Sequence, residues 1–261
     1  MKVVTWNINS IKVRLPAVLQ YLDENKPDML ALQETKCIDD NFPFNEISEL
    51  GYNSVFAGQK TYNGVAIISQ NKPSRIELNP ISTDENEMRS ITASYNDIRL
   101  INLYVVNGQN VGTDKYKYKL RWLKQLQNYI KDQIKKYKKI IILGDFNIAP
   151  RDEDVFDVQA TDEEILCSSQ ERNEYKKLLS LGFDDIFLKF DHPAKTFSWW
   201  DYRGGAFHKN IGYRIDLILT SNNLSKACND VFIDKETRHK TWCKIEPRTS
   251  DHAPVVAVFD F

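Results

Sequence analysis

The sequence predicts an α/β fold, and three observations carry that prediction. Short β-rich runs recur from one end of the chain to the other: Val3–Ile8, Met29–Gln33, Val65–Ser69, Ser90–Tyr95, Ile98–Val106, Ile140–Leu143, Arg214–Thr220 and Pro254–Phe259. Helical periodicity lies between some of them. Runs such as Ile140 to Leu143 are apolar at every position, which suits strands buried on both faces. No Pro-, Gly- or Ser-rich linker divides the chain, so residues 1–261 are expected to form one domain.

Taken in order, the first run leads into a helix. Leu15, Val18, Leu19 and Leu22 fall at i, i+3, i+4 and i+7, which predicts an amphipathic helix over 14–25 with Pro16 in its first turn. Ser90–Tyr95 and Ile98–Val106 flank Asn96 and Asp97, a tight-turn pair, so part of the sheet is expected to be antiparallel. Leu120, Leu123, Leu126, Ile130 and Ile134 mark a longer second helix. Lysines crowd it from Lys115 to Lys139; acidic residues elsewhere balance them and no aromatics interleave at its end, so they read as a solvated face.

Composition narrows the function classes. With 42% hydrophobic, 27% charged and 11% aromatic residues, the chain is neither disordered nor fibrous. Thirty-five Lys and Arg against 36 Asp and Glu leave a net charge of −1, so a polyanion partner must be met locally rather than by a bulk field. The start, MKVVTWNINS, lacks the pattern of a secretory signal. No run approaches the roughly 18 apolar residues of a membrane span. Cys37, Cys167, Cys228 and Cys243 are scattered, which predicts reduced thiols and a cytoplasmic protein. His192, His208, His239 and His252 show no zinc-ligand spacing.

The apolar runs stop at residues that are poor strand formers and good ligands. Val3 to Trp6 leads into Asn7 and Asn9, Met29 to Gln33 into Glu34, and Ile98 to Leu103 into Tyr104 and then Asn107. Ile140 to Leu143 leads into Asp145 and Asn147, Ile215 into Asp216, and Asp251 and His252 precede the last run. Singly, each has a bland explanation: Asn7, Asn9 and the Asp145–Asn147 segment as turn residues, Glu34 with Lys36 as an ion pair, His252 as a surface histidine. Their joint occurrence after strands, rich in oxygen donors, points to a site for Mg²⁺ or Mn²⁺ acting on a phosphate.

Eight segments, TWNINSIKVR, LALQETK, GVAIIS, INLYVVNG, ILGDFNIAPRDEDV, TFSWWDYR, IGYRIDLIL and SDHAPVVAVF, together resemble the exonuclease III family of abasic-site DNA repair nucleases. That family lies within the deoxyribonuclease I-like endonuclease/exonuclease/phosphatase superfamily. The resemblance runs in order over essentially the whole chain. GDFN and SDHAPV are shared across the superfamily, whereas LQETK, FSWWDYR and the Arg-Ile-Asp segment are specific to this family. It implies a four-layer α/β sandwich of two stacked mixed β-sheets flanked by helices.

The resemblance also implies roles. Glu34 is the principal metal ligand, with Asn7, Asn9 and Asp251 around it and Asp145, Asn147 and His252 bordering the ion. Asp145 activates the attacking water, Asn147 holds water or phosphate, His252 donates to a phosphate oxygen and Asp216 orients His252. Tyr104 and Asn107 contact the scissile phosphate. Trp199, Tyr213 and Ile215 wall a pocket that admits a base-less sugar, with Trp200 read as core. Arg89, Arg203 and Lys209 contact DNA, and His208 and Phe207 share the Arg203 loop. Val106 stands where many relatives have Pro.

The implied activity is Mg²⁺- or Mn²⁺-dependent cleavage 5′ to abasic sites in duplex DNA, with 3′–5′ exonuclease and 3′-phosphatase action on blocked 3′ ends. A monomer with no membrane association is expected. A superfamily phosphoesterase acting on lipid or inositol phosphates is the enzymatic alternative; it would share Asn7, Glu34, Asp145, Asn147, Asp216 and His252 but has no need of the pocket aromatics. A non-catalytic DNA-binding protein on the same fold is expected to have lost a ligand, and every ligand is present.

Overall fold

The structure is a computed structural model that describes residues 1–83, 85–245 and 249–260. The first half of the chain forms β1 (Lys2–Asn7), α1 (Ile11–Asn25), β2 (Met29–Gln33), α2 (Phe44–Glu49), β3 (Asn53–Ala57), β4 (Val65–Ser69), β5 (Ser74–Leu78), β6 (Ser90–Tyr95) and β7 (Ile98–Tyr104). The second half forms α3 (Asp114–Lys136), β8 (Lys139–Asp145), α4 (Val158–Thr161), α5 (Ser169–Leu179), β9 (Phe183–Asp185), β10 (Asp216–Ser221), α6 (Asn222–Ser225), β11 (Cys228–Ile233) and β12 (Val255–Phe259). Two mixed six-stranded sheets result, ordered β11-β12-β1-β2-β4-β3 and β5-β6-β7-β8-β10-β9.

Period-2 side-chain alternation decides the layers. Val3, Ala31, Ile67, Leu100, Ile141, Leu143, Ile218 and Ala257 meet between the sheets. Their neighbours Val4, Leu30, Leu32 and Ile68 face outward, where Val18, Tyr21 and Leu22 of α1 cover them. On the second sheet, Ile101, Ile140, Ile142 and Leu219 face outward under Trp122, Leu123, Leu126 and Ile130 of α3 and Tyr175 and Leu178 of α5. The expected four-layer sandwich of two stacked mixed sheets with helices outside is what the chain forms.

One polar seam crosses the interior. Asn102 of β7 donates to the carbonyls of Leu32 (3.0 Å) and Ala66 (2.8 Å) in the opposite sheet. Gln33 donates to Asn102 (2.7 Å) and to Thr5 (3.0 Å). Buried polar groups bonded in this way fix how two apolar faces sit on each other.

Among the described residues two strand pairs are parallel, β1 with β2 and β7 with β8. Each is joined by a crossover that carries a long helix, α1 and α3. Ligands of open α/β sheets gather beyond the carboxyl ends of parallel strands, and those ends here are Asn7, Gln33, Tyr104 and Asp145. Gly144 allows β8 to lie against β7 there: at φ 142, a Cβ would fall 1.9 Å from the Leu103 carbonyl oxygen.

The expected hairpin at Asn96 and Asp97 forms, with Tyr95 opposite Ile98. The first helix begins at Ile11 rather than 14, so Pro16 lies in its second turn. The cause is that the chain after β1 keeps bonding to the end of β2, Ser10 N–H to Glu34 O at 2.7 Å and Ile11 N–H to Thr35 O at 3.0 Å, and turns directly into the helix. The lysines of α3 are not all solvated: the Lys119 side chain is fully buried in an ion pair with Glu171.

Candidate active site

Six strand ends converge at one rim of the sandwich. β10 runs antiparallel to β8 with Asp216 opposite Asp145, so both carboxylates sit at the same level. β12 runs antiparallel to β1, which places Asp251 and His252, just ahead of it, beside the end of β1. Trp199 bridges Tyr213 and His252 and brings the aromatic segment to the same rim. Several of these residues hold a left-handed backbone unusual for a side chain: Asn9 (φ 48), Ser10 (φ 98), Glu34 (φ 52), Lys36 (φ 52) and Asn147 (φ 48). Strained backbone of this kind collects where function constrains the chain.

The polar side chains form one connected network. Asn7 Nδ2 donates to Glu34 (2.8 Å) and to Asp145 (2.9 Å), while its Oδ1 accepts the Asn9 N–H. Asn9 donates to Asp251 (3.0 Å) and accepts from Lys36. Lys36 also reaches Glu34 at 2.8 Å, and the Tyr104 phenol lies near enough to feel the Glu34 carboxylate. Asp145 accepts the Asn147 N–H (2.9 Å), and Asn147 is held by Asn107 (3.0 Å) and by the Val105 carbonyl (2.9 Å).

His252 is buried with Nδ1 2.9 Å from Asp216, whose other support is the Ser198 hydroxyl at 2.6 Å. This arrangement turns Nε2 toward the site, 3.8 Å from Asp145. Burial opposes the charge on the ring, yet Asp216, Asp145 and Asp251 together push His252 up to about 10. Asp145 is pushed up to about 7, first by burial and then by Asp216, against the pull of His252 and Asn7. Burial would raise Asp251, but His252, Trp199 and Asn9 hold it below the usual carboxylate range. Burial and the carboxylates of Glu34 and Asp145 raise Tyr104 well above the ordinary phenol value.

The donor set fits a hard divalent cation. One ligand atom each from Glu34, Asp145 and His252 lie within 4.8 Å of one another. Glu34, Asp145, Asp216 and Asp251 supply four carboxyls against the cations of His252 and Lys36, and the Lys36 ammonium already sits on Glu34 as a cation would.

Trp199, Tyr213 and Ile215 form one apolar wall with Ala149, Val155, Leu166 and Cys167. Trp199 also donates its indole N–H to Asp251 at 3.0 Å, which ties the wall to the carboxylate network. Leu166, which the sequence reading did not single out, is held at φ 73 in this wall, a conformation that a β-carbon disfavours. Trp200 is buried core, with Phe207 edge-on against it at 5.1 Å and half-buried.

The network gathers Asn7, Asn9, Glu34, Tyr104, Asn107, Asp145, Asn147, Asp216, Asp251 and His252. Arg89 is buried behind it, paired with Glu87 (2.7 Å), bonded to the Tyr104 carbonyl and stacked on the Tyr104 ring. Arg203 stands outside, 89% exposed and paired with Asp201, and His208 and Lys209 are exposed on the same loop. Ser198 joins the network with no pattern in the sequence beyond adjacency to Trp199, and Lys36 pairs with Glu34 as their spacing suggested.

The sequence model of the endonuclease/exonuclease/phosphatase family matches residues 4–252. Exodeoxyribonuclease III of Haemophilus influenzae is 33% identical over 272 residues, spanning 99% of this chain and all of the relative. The solved structure of the 3′-phosphatase NExo from Neisseria, bound to a product DNA hairpin, superposes with a TM-score of 0.94 at 42% identity over the whole of both chains. That of an AP endonuclease from Archaeoglobus fulgidus does so at 0.92 and 36%, again over both whole chains. The rim of carboxylates, the two βαβ crossovers and these likenesses agree: this chain belongs to the endonuclease/exonuclease/phosphatase family, among the relatives of exodeoxyribonuclease III.

Proposed function

We propose that this enzyme is a Mg²⁺- or Mn²⁺-dependent DNA repair phosphodiesterase that cuts 5′ to abasic sites and trims blocked 3′ ends. The observation that carries the reading is the cluster of Glu34, Asp145 and His252 at the rim where both parallel strand pairs end. Glu34 and Asp145 would hold the cation, with Asn7, Asn9, Asn147 and Asp251 setting their orientation or joining through water. Bound there, the cation polarises the phosphate and offsets charge on the attacking and leaving oxygens.

The chain's own residues do the rest. Asp145, with a carboxyl that titrates near neutrality, takes a proton from the attacking water. His252 donates from Nε2 to a phosphate oxygen, because its Nδ1 side is committed to Asp216. Tyr104, Asn107 and Asn147 face the same space and orient the phosphate. Trp199, Tyr213 and Ile215 select an extrahelical base-less sugar by leaving no room for a base. Arg203 and Lys209 meet the DNA backbone outside the pocket, and Arg89 acts on Tyr104 from behind. The scattered free cysteines support a cytoplasmic enzyme, and among the described residues no helix is long and apolar enough to cross a membrane.

The test is a duplex with one abasic analogue, and a second with a 3′-phosphate, each incubated with and without Mg²⁺. Nicking on the 5′ side of the analogue and release of phosphate, both only with metal, are expected. Undiminished cleavage after exhaustive chelation rejects the reading, and turnover of inositol phosphates in preference to DNA moves it to the alternative.

A further inference from the structure

We infer that Lys119 is a positioning residue for the phosphate-facing loops, its buried ammonium holding the loops after β7 and β8 together from behind. The inference rests on the proposed role of Asn107 and Asn147 as phosphate contacts. Lys119 Nζ donates to the backbone carbonyls of Asn107 (3.1 Å) and Asn147 (2.6 Å), and its third proton goes to the Glu171 carboxylate. An ammonium has three donors, so Lys119 is fully used and has nothing left for a ligand. Both backbones are thus tied to the same nitrogen, and the two asparagine side chains, Asn107 exposed and Asn147 buried, are joined by the 3.0 Å bond between them.

Glu171 extends the same device to the pocket. Its carboxylate accepts the backbone N–H of Leu166 (3.2 Å) and of Ser168 (3.1 Å), while Ala149 N–H bonds the Leu166 carbonyl at 2.8 Å. One buried pair therefore sets the phosphate loops and the pocket wall relative to each other. A fully buried ion pair is an uneconomical way to stabilise a core, since apolar replacements are often as stable, so its retention here fits a geometric task.

The experiment uses the Lys119→Met/Glu171→Gln double variant, which removes both charges and leaves one amide oxygen to accept from the Leu166 or the Ser168 N–H. The readouts are thermal midpoint, affinity for duplex DNA carrying an abasic analogue, single-turnover cleavage with Mg²⁺, and amide hydrogen exchange over 105–109 and 146–149. Expected are a midpoint and affinity close to wild type, faster exchange confined to those two loops, and single-turnover cleavage slower by about 10²-fold, the penalty of a misplacement on the order of 1 Å. Wild-type exchange in both loops, or wild-type cleavage by the folded double variant, overturns the inference. If the double variant does not fold, Lys119→Arg decides: it keeps the pair's charge but its planar fork cannot serve three separated acceptors, so the same exchange and rate changes are expected, and their absence is equally fatal. An inactive wild-type enzyme would sink the proposed function alone, because loop exchange reads the clamp without any substrate.

Discussion

Asp145 and Asp154 lie nine positions apart, and each is 2% exposed, yet they are opposite kinds of carboxylate. Asp154 is gripped by Nε and Nη2 of Arg214, at 2.7 and 3.0 Å, and by Arg151; Arg214 Nη1 reaches Asp185 at 2.9 Å. Burial would raise Asp154, but these arginines hold it below the ordinary carboxylate range. Among the described residues no guanidinium reaches Asp145: its bonds come from Asn7 and the Asn147 N–H, and His252 lies 3.8 Å away. Equal burial with unequal partners makes one group a fixed part of the scaffold and leaves the other able to exchange a proton and accept a cation. The contrast teaches that burial alone does not mark a functional acid; burial without its own counter-charge does.

The largest way to break that contrast is Asp145→Asn. Turnover with Mg²⁺ is expected to fall by ~10²-fold or more, the scale of a lost general base, with DNA affinity retained. Single-turnover kinetics beside a binding titration check it, and lost binding at an unchanged rate would assign Asp145 elsewhere.

Arg214→Met attacks the other member. It strands Asp185 without a counter-charge and leaves Asp154 only Arg151, which is expected to cost about 3–5 kcal/mol of stability. Urea unfolding measures it, and a loss under 1 kcal/mol would mean that water or rearrangement replaces the arginine.

A smaller effect separates the pair by pH, measured by thermal unfolding in chelator. Asp154 has a depressed folded-state value, so its contribution is complete above the unfolded value of about 3.8 and is lost as pH falls through the folded value; Asp154→Asn should be destabilising at pH 7 and converge on wild type in acid. Asp145 is raised to about 7, so between about 4 and 7 the folded state holds the extra proton and stability falls as pH rises. Asp145→Asn should therefore gain on wild type as pH climbs through that window. Parallel pH curves for the two variants would contradict the assignment.

The smallest effect concerns the wall. Leu166→Gly relieves a left-handed leucine but gives up its packing, so the two stability effects oppose each other, while the added room should lower the ratio of cleavage at an abasic site to cleavage at an intact nucleotide. An unchanged ratio in a folded variant places Leu166 outside the selection step.

What could be read from the sequence follows the same physics. Glu34, Asp145, Asp216 and His252 were visible because a polar residue stands out where an apolar run ends, and β1, β2, β4 and β8 because both their faces are buried. β3, β5 and β11 lie at sheet edges or beside loops and keep polar or exposed residues, so they carry no apolar run to notice. Lys119 was hidden by its own neighbours: in a helix crowded with lysines, composition cannot tell the one that points inward. Leu166 was hidden because a leucine, unlike glycine or asparagine, does not announce a positive φ.

The Asn102 seam makes the active site a gauge of shear. Asn7, Glu34, Asp251 and His252 ride on one sheet and Tyr104, Asp145 and Asp216 on the other, so the Asn7–Asp145 and His252–Asp216 bonds span the sliding plane between them. A slip of one residue is about 3.3 Å along a strand, longer than any of those bonds can stretch. The carbonyls of Leu32 and Ala66 stop that slip with two hydrogen bonds from a single side chain. Asn102→Leu would leave both apolar layers intact and still remove the stop, so this enzyme could lose its chemistry by a mechanical fault far below the substrate, with each catalytic group unaltered.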